Sequence, residues 1–165
     1  MTKQKGFSLI ELLLVVVVIG IIAAIAIPNV LASRRSENEA SAISSLRTLH
    51  SAQLAYRSTV GQGSYAATLA ALADHNLIDP TLASGTKDGY EYVVTANPAS
   101  AAEPASFSFS TTPISTSGLG QTGARTFCIR TEGAIRYDSG SGQLGDQLTY
   151  AECVDDQPGV YALGD

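Results

Sequence analysis

The sequence predicts an α+β fold in which a long N-terminal helix packs on a four-stranded antiparallel sheet. The helix begins with an apolar, uncharged segment, because Leu12–Ile27 holds fifteen apolar residues and one glycine. Apolar residues then recur at three- and four-residue steps as far as Tyr56, which is the spacing of one helix face. Beyond residue 89, four segments alternate apolar and polar residues, as half-buried strands do.

The first part of the helix, residues 7–30, is predicted to enter a membrane. A helix of this length spans about 36 Å, and a hydrocarbon core is roughly 30 Å thick. Twelve Leu, Ile and Val residues between Leu12 and Ile27 favour insertion by roughly 4–7 kcal/mol. The one acid in the segment, Glu11, costs about 3 kcal/mol at most because it lies near the end.

Three interpretations of this segment compete. A secretory signal peptide could be cut at Ala24-Ile25-Ala26, but its apolar part is normally only about 7–15 residues long. A plain membrane anchor explains the length and gives Glu11 no role. The third interpretation is a prepilin signal: a short basic leader, a glycine, then a phenylalanine and a glutamate at the fifth place after the glycine, in Lys5-Gly-Phe-Ser-Leu-Ile-Glu11. This string resembles the processing site of the type IV pilin and pseudopilin family, and the resemblance continues through Pro28.

The resemblance implies roles for three residues. A prepilin peptidase would remove residues 1–6 by cutting between Gly6 and Phe7, and the new amino group of Phe7 would be methylated. Glu11 would pair with the N-terminal amine of a neighbouring subunit, which removes two otherwise unpaired charges together. The alternative is that Glu11 only compensates the dipole of its own helix.

Gly20 and Pro28 interrupt the helical pattern. In a helix interior glycine costs about 1 kcal/mol and proline about 3 kcal/mol relative to alanine. In filaments of the family that this chain resembles, a segment between two such positions can lose its helical structure. The alternative is a helix that is merely bent at Pro28.

The remaining residues, 31–165, are predicted to form a globular head. An amphipathic helix covers 31–58, and Gly61-Gln-Gly63 ends it. A connecting segment covers 59–89, with a short helix and turn that Asp79-Pro80 closes. The sheet covers 90–138, with strands predicted at Tyr90–Ala96, Ala105–Thr111, Thr126–Thr131 and Ala134–Asp138. A two-residue turn at Glu132-Gly133 is predicted to join the last two strands as a hairpin.

The two cysteines are Cys128, on a predicted strand, and Cys153, in the tail. If the head is exported, a single disulfide is expected; the alternative is a pair of buried thiols in a cytosolic protein. Zinc is not expected, since no CxxC pair or nearby histidine supplies further ligands. The family resemblance implies a disulfide-bounded C-terminal loop, residues 128–153, on the filament surface.

Several functions are not supported by the composition. The net charge is −5 and no basic run is present, which argues against a nucleic-acid partner. Two GxGxxG strings, starting at Gly118 and Gly140, lack the strand-to-helix context of a cofactor loop. Asp155-Asp156 resembles no known calcium loop. No catalytic constellation is evident, so neither an enzyme nor a cofactor is predicted.

The sequence therefore predicts a structural subunit, major or minor, of a type IV pilus. Its expected partners are further pilin subunits, prepilin peptidase and the pilus assembly machinery. It would span the inner membrane once and then join an extracellular filament. The flanking charges, Lys3 and Lys5 against Arg34 and Arg35, do not decide the orientation, but the short N-terminal end and the large polar C-terminal part favour a globular part outside the cytoplasm. The alternatives are a pseudopilin of a type II secretion system and a secreted binding domain released by signal peptidase.

Overall fold

The computed structural model describes residues 6–101, 103–138, 147–153 and 159–163. Helix α1 spans Leu9–Thr59, and two short helices, α2 (Leu69–Asp74) and α3 (Pro80–Ala83), follow it. The strands found in this part of the chain are β1 (Thr86–Lys87), β2 (Tyr90–Asn97), β3 (Ser106–Pro113), β4 (Thr126–Arg130), β5 (Ile135–Asp138) and β6 (Val160–Ala162). The chain divides into two compact units, Met1–Arg34 and Arg35–Asp165.

The strands form one antiparallel sheet whose spatial order, β1 to β6, follows the chain. The four predicted strands are present as β2 to β5, and the predicted hairpin is confirmed by the pairing of Ile129 with Ile135. Its predicted two-residue turn was wrong, because the strands end earlier than expected and residues 131–134 connect them. The prediction of four strands in total was wrong, because the described residues form six. The two missed strands, at the sheet edges, have two and three residues, too few to show an alternating pattern.

The core of the second unit lies between α1 and one face of the sheet. On α1, Leu46 and Leu49 are fully buried, and they belong to the same buried cluster as the rings of Phe107, Phe109 and Phe127 on the sheet. Each such side chain contributes about 1.5–3 kcal/mol of burial free energy. The packing of the helix on an antiparallel sheet is therefore as predicted.

The connecting segment is tied to α1 by polar contacts. Gln53, fully buried on α1, accepts a hydrogen bond from the Ala66 N–H at 2.8 Å and donates one to the Ala66 carbonyl at 2.8 Å.

Asp79 caps α3 by accepting from the Leu82 N–H at 2.8 Å. Asp79-Pro80 follows α2 and the turn after it, and it also begins α3, because proline is favoured at the first helical position.

The other face of the sheet, here called the outer face, carries the C-terminal segment. Cys128 and Cys153 form a disulfide with Cα atoms 6.1 Å apart, and both are fully buried. The Arg130 guanidinium lies 4.0 Å from the centre of the Tyr150 ring. Residues 147–153 are therefore held against the sheet at two points, and β6 then pairs with β5.

Candidate assembly site

The beginning of α1 exposes an unbroken apolar surface. All sixteen large apolar side chains from Phe7 to Val30 are exposed, at 48–82% of their surface. By length and composition, α1 is the one helix in the described part of the chain that could span a membrane. A patch of this size on a soluble surface marks contact with lipid or protein.

The predicted processing site lies just before the helix. Gly6, Phe7 and Ser8 are not helical, and the Ser8 carbonyl accepts the first helical hydrogen bond, from the Leu12 N–H at 3.2 Å. Glu11 lies in the first turn and its side chain is exposed. Phe7 and Glu11 thus lie at one end of α1, both accessible to another molecule. The leader residues 1–5 are outside the described residues.

Gly20 and Pro28 lie inside a continuous helix. A Cβ added at Gly20 would meet no atom within 4 Å, so packing within the chain does not require glycine there. Pro28 has no N–H to offer the Ala24 carbonyl one turn earlier. The neighbouring Asn29 side chain donates to a different carbonyl, that of Ile25, at 3.1 Å. Loss of helix between Gly20 and Pro28 in a filament stays a prediction.

In the head, an ion pair that the sequence analysis missed joins α1 to the loop between β3 and β4. Glu39 is 7% exposed. One of its carboxylate oxygens accepts from the Ala124 N–H at 2.9 Å, and the other accepts from Arg125 at 2.6 and 2.9 Å. Asn38 donates to the Thr122 carbonyl at 2.9 Å. The sequence could have indicated a buried acid here, because Glu39 lies three residues before Ala42 on the same helix face. A buried acid needs a partner.

A tyrosine completes this polar cluster. The Tyr90 hydroxyl donates to the Arg125 carbonyl at 3.0 Å. Burial, and then the Glu39 carboxylate, raise the pKa of Tyr90 well above its ordinary value. Tyr90 is therefore a neutral donor at any physiological pH, and its role here is to hold the loop.

The arrangement offers no evident catalytic or metal chemistry in the residues described. No group of three or more His, Cys, Asp or Glu residues among them is placed to hold a metal ion. His50 contacts the Thr131 carbonyl at 3.2 Å and packs on the Phe107 ring, so its surroundings are those of a structural histidine. Asp155-Asp156 and the glycines of the second GxGxxG string lie outside the described residues.

Comparison with known proteins identifies the N-terminal segment. Residues 1–27 match the model of the prokaryotic N-terminal methylation motif. The type II secretion system core protein G of Escherichia coli K12 is 29% identical over 102 residues, which cover 58% of this chain and 67% of that protein.

Two pilus proteins are similar over shorter stretches. The type IV major pilin protein PilA of Myxococcus xanthus is 43% identical over 54 residues, covering 33% of this chain and 24% of that protein. The type IV wide pilus major component PilA4 of Thermus thermophilus is 54% identical over 39 residues, covering 24% of this chain and 30% of that protein. No solved structure matches the chain. The N-terminal segment thus carries the prokaryotic methylation motif, and the chain is similar both to type IV pilins and to core protein G of type II secretion systems.

Proposed function

We propose that this chain is a major or minor structural subunit of a type IV pilus, which polymerises through the apolar part of α1 after residues 1–6 are removed. One observation carries the proposal. An exposed apolar helix with Glu11 in its first turn begins directly after the Gly6–Phe7 bond. A plain membrane anchor or a secreted domain would use only the apolar helix, whereas a pilin or a pseudopilin would use all three features.

The apolar surface of α1 needs a cover in every state of the protein. Before assembly the lipid bilayer supplies it, since the helix is long enough to span the hydrocarbon core. After assembly the helices of other copies supply it. The exchange of lipid for protein is nearly neutral in hydrophobic free energy, because lipid tails are as apolar as leucine. Packing and specific polar contacts therefore decide whether subunits associate.

Glu11 is the specific polar contact available. A newly formed α-amino group is mostly protonated at neutral pH. At 4 Å and an effective dielectric constant near 20, its attraction to a carboxylate is about 4 kcal/mol before desolvation. Desolvation offsets much of that gain. The pair between Glu11 and the Phe7 amine of a neighbour would thus act mainly by favouring one axial stagger of the subunits.

The disulfide supports a head outside the cytoplasm. Disulfides persist in oxidising compartments and are rare in the cytosol. With Cys128 bonded to Cys153, the head belongs on the outer side of the inner membrane and the short leader on the cytoplasmic side, where the peptidase would act. This orientation is the one that the flanking charges left undecided.

N-terminal sequencing of the mature protein tests the proposal. We expect a chain that begins with N-methylated Phe7, in fibres that can be sheared from the cell surface. A mature chain that begins near Ile27 and is monomeric in the culture fluid would instead indicate a soluble domain released by signal peptidase.

A pseudopilin of a type II secretion system is the second candidate. It is favoured by the match to the Escherichia coli protein, which extends over 102 residues, against 54 and 39 for the two pilus proteins. Deletion of the gene separates the two. A pilin deletion removes surface fibres and leaves secreted proteins in the medium, whereas a pseudopilin deletion retains those proteins in the periplasm.

A further inference from the structure

The outer face of the sheet holds a cavity that assembly through α1 does not use. Its volume is about 450 Å³. The floor is formed by Val93, Thr95 and Asn97 of β2 with Ser110 of β3, and residues 147–151 form the opposite wall. A cavity of this size is within the usual range for small-molecule sites, roughly 300–1,000 Å³.

One polar group in the floor lacks a partner. Phe109 points toward α1, so its neighbour Ser110 points to the outer face. There Ser110 lies between its cross-strand partners Val93 and Cys128. It is only 5% exposed, and its hydroxyl makes no hydrogen bond in the structure. Buried hydroxyls are nearly always paired, so an unpaired one requires an explanation.

The chemistry of the walls restricts the ligand. None of the nine lining residues is charged, although the chain as a whole carries 25 charged residues, 10 basic and 15 acidic. Thr95, Asn97 and Gln147 supply neutral hydroxyl and amide groups, and Val93 and Leu148 supply apolar surface. The Thr149 hydroxyl already donates to the Glu152 carboxylate at 2.7 Å. The Arg130 guanidinium lies beside the cavity, 4.0 Å from the Tyr150 ring, but it already faces the Glu132 carboxylate at 3.9 Å. An ionic ligand would therefore lose its hydration without finding a counter-charge among the lining residues. A molecule with many hydroxyls and apolar C–H faces fits these walls.

We propose that this cavity binds one neutral sugar unit, with the Ser110 hydroxyl as a hydrogen-bond partner at its floor. The disulfide lies directly beside the site, because Cys128 is the cross-strand neighbour of Ser110. It holds the wall formed by residues 147–151 in place. The proposal does not depend on filament assembly, since every lining residue belongs to the head.

Saturation-transfer NMR on the full-length mature chain, in a detergent without a sugar headgroup, tests the site. The probes are glucose and galactose, each compared with its uronic acid. We expect transfer to at least one neutral sugar and none to the matching acid. A Thr95→Trp variant, which fills the cavity, should abolish the signal. Glu91→Trp is the matched control, because residue 91 lies on the same face of the same strand and does not line the cavity.

Ser110→Ala removes only the hydroxyl at the floor of the cavity. We expect this variant to bind the neutral sugar about three- to tenfold more weakly. Thermal unfolding verifies that each variant is folded. The proposal is overturned if neither sugar shows transfer at millimolar concentration, if the uronic acids bind equally well, or if Thr95→Trp leaves the signal unchanged. Filaments that assemble and bind no sugar would overturn only this inference, whereas a mature chain that does not begin at Phe7 would overturn only the proposed function.

Discussion

Glu39 and Arg125 are joined side chain to side chain, with one Glu39 oxygen 2.6 Å from the Arg125 Nη2 atom and 2.9 Å from its Nε atom. The guanidinium also lies 5.4 Å from the centre of the Phe127 ring and 5.2 Å from that of Tyr137. The pair fixes the loop between β3 and β4 to the part of α1 that belongs to the second unit. Its removal should therefore loosen both the loop and this part of the helix.

Replacing Glu39 should destabilise the head. Glu39→Ala leaves the Ala124 N–H and the Arg125 guanidinium without their acceptor, which we expect to cost about 2–4 kcal/mol. Urea denaturation of the detergent-solubilised protein measures the loss. Glu37→Ala is the matched control, because Glu37 is exposed on the same helix and should change stability by less than about 0.5 kcal/mol. Equal effects of the two variants would contradict the structural role of the pair.

The disulfide should contribute substantially to the stability of the head. Cys128 and Cys153 are 25 residues apart, and closing a loop of that size contributes about 3.5 kcal/mol in the chain-entropy model. We expect the double variant Cys128→Ser/Cys153→Ser, or treatment with reductant, to lower Tm by several degrees. An unchanged Tm after verified reduction would show that residues 147–153 are held by their other contacts alone.

Two glycines in one loop should respond differently to alanine. A Cβ at Gly123 would lie 2.6 Å from the Cζ atom of the Tyr90 ring, whereas a Cβ at Gly120 would meet nothing within 4 Å. Overpacking of this kind costs about 1–3 kcal/mol. We therefore expect Gly123→Ala to unfold at clearly lower urea concentration than Gly120→Ala. The reverse order would mean that the loop is not held against Tyr90 in solution.

Glu11 should be required for assembly and not for processing. With Glu11→Ala the leader is still removed, because the scissile bond precedes the helix, but subunits lose the partner for the Phe7 amine. We expect mature protein in the membrane and no surface fibres, seen by immunoblotting and electron microscopy. Glu11→Asp, which keeps the charge, should restore fibres in part. Normal fibres from Glu11→Ala would refute the assembly mechanism.

Stability should fall in acid partly through Asp79. The hydrogen bond from the Leu82 N–H, helped by Lys87, lowers the pKa of Asp79 below its ordinary value. A carboxyl with a lowered pKa in the folded state stabilises the protein above its unfolded pKa of about 3.9, and this contribution is lost as pH falls through the folded pKa. Asp79→Asn keeps a neutral cap. Its Tm should therefore decline less between pH 5 and 3 than that of the wild type, and parallel declines would contradict the assignment.

Local patterns in the sequence were enough to predict part of the fold. The apolar segment from Leu12 to Ile27 and the spacing of Leu46 and Leu49 indicate one long helix, because a helix presents every third and fourth residue on one face. The alternation in β2 to β5 likewise follows from the two-residue repeat of a strand. The motif around Gly6 and Phe7 is also local, so it could be recognised from the sequence without a structure.

Features that depend on residues far apart in the chain could not be predicted in this way. β1 and β6 are strands only because a neighbour supplies their hydrogen bonds. Glu39 and Arg125 are separated by 86 residues, and no local pattern pairs them. The cavity above Ser110 exists because a disulfide brings residues 147–151 onto the sheet. Contacts of this kind follow from how the head packs, since buried polar groups take whichever partners the packed chain brings within reach.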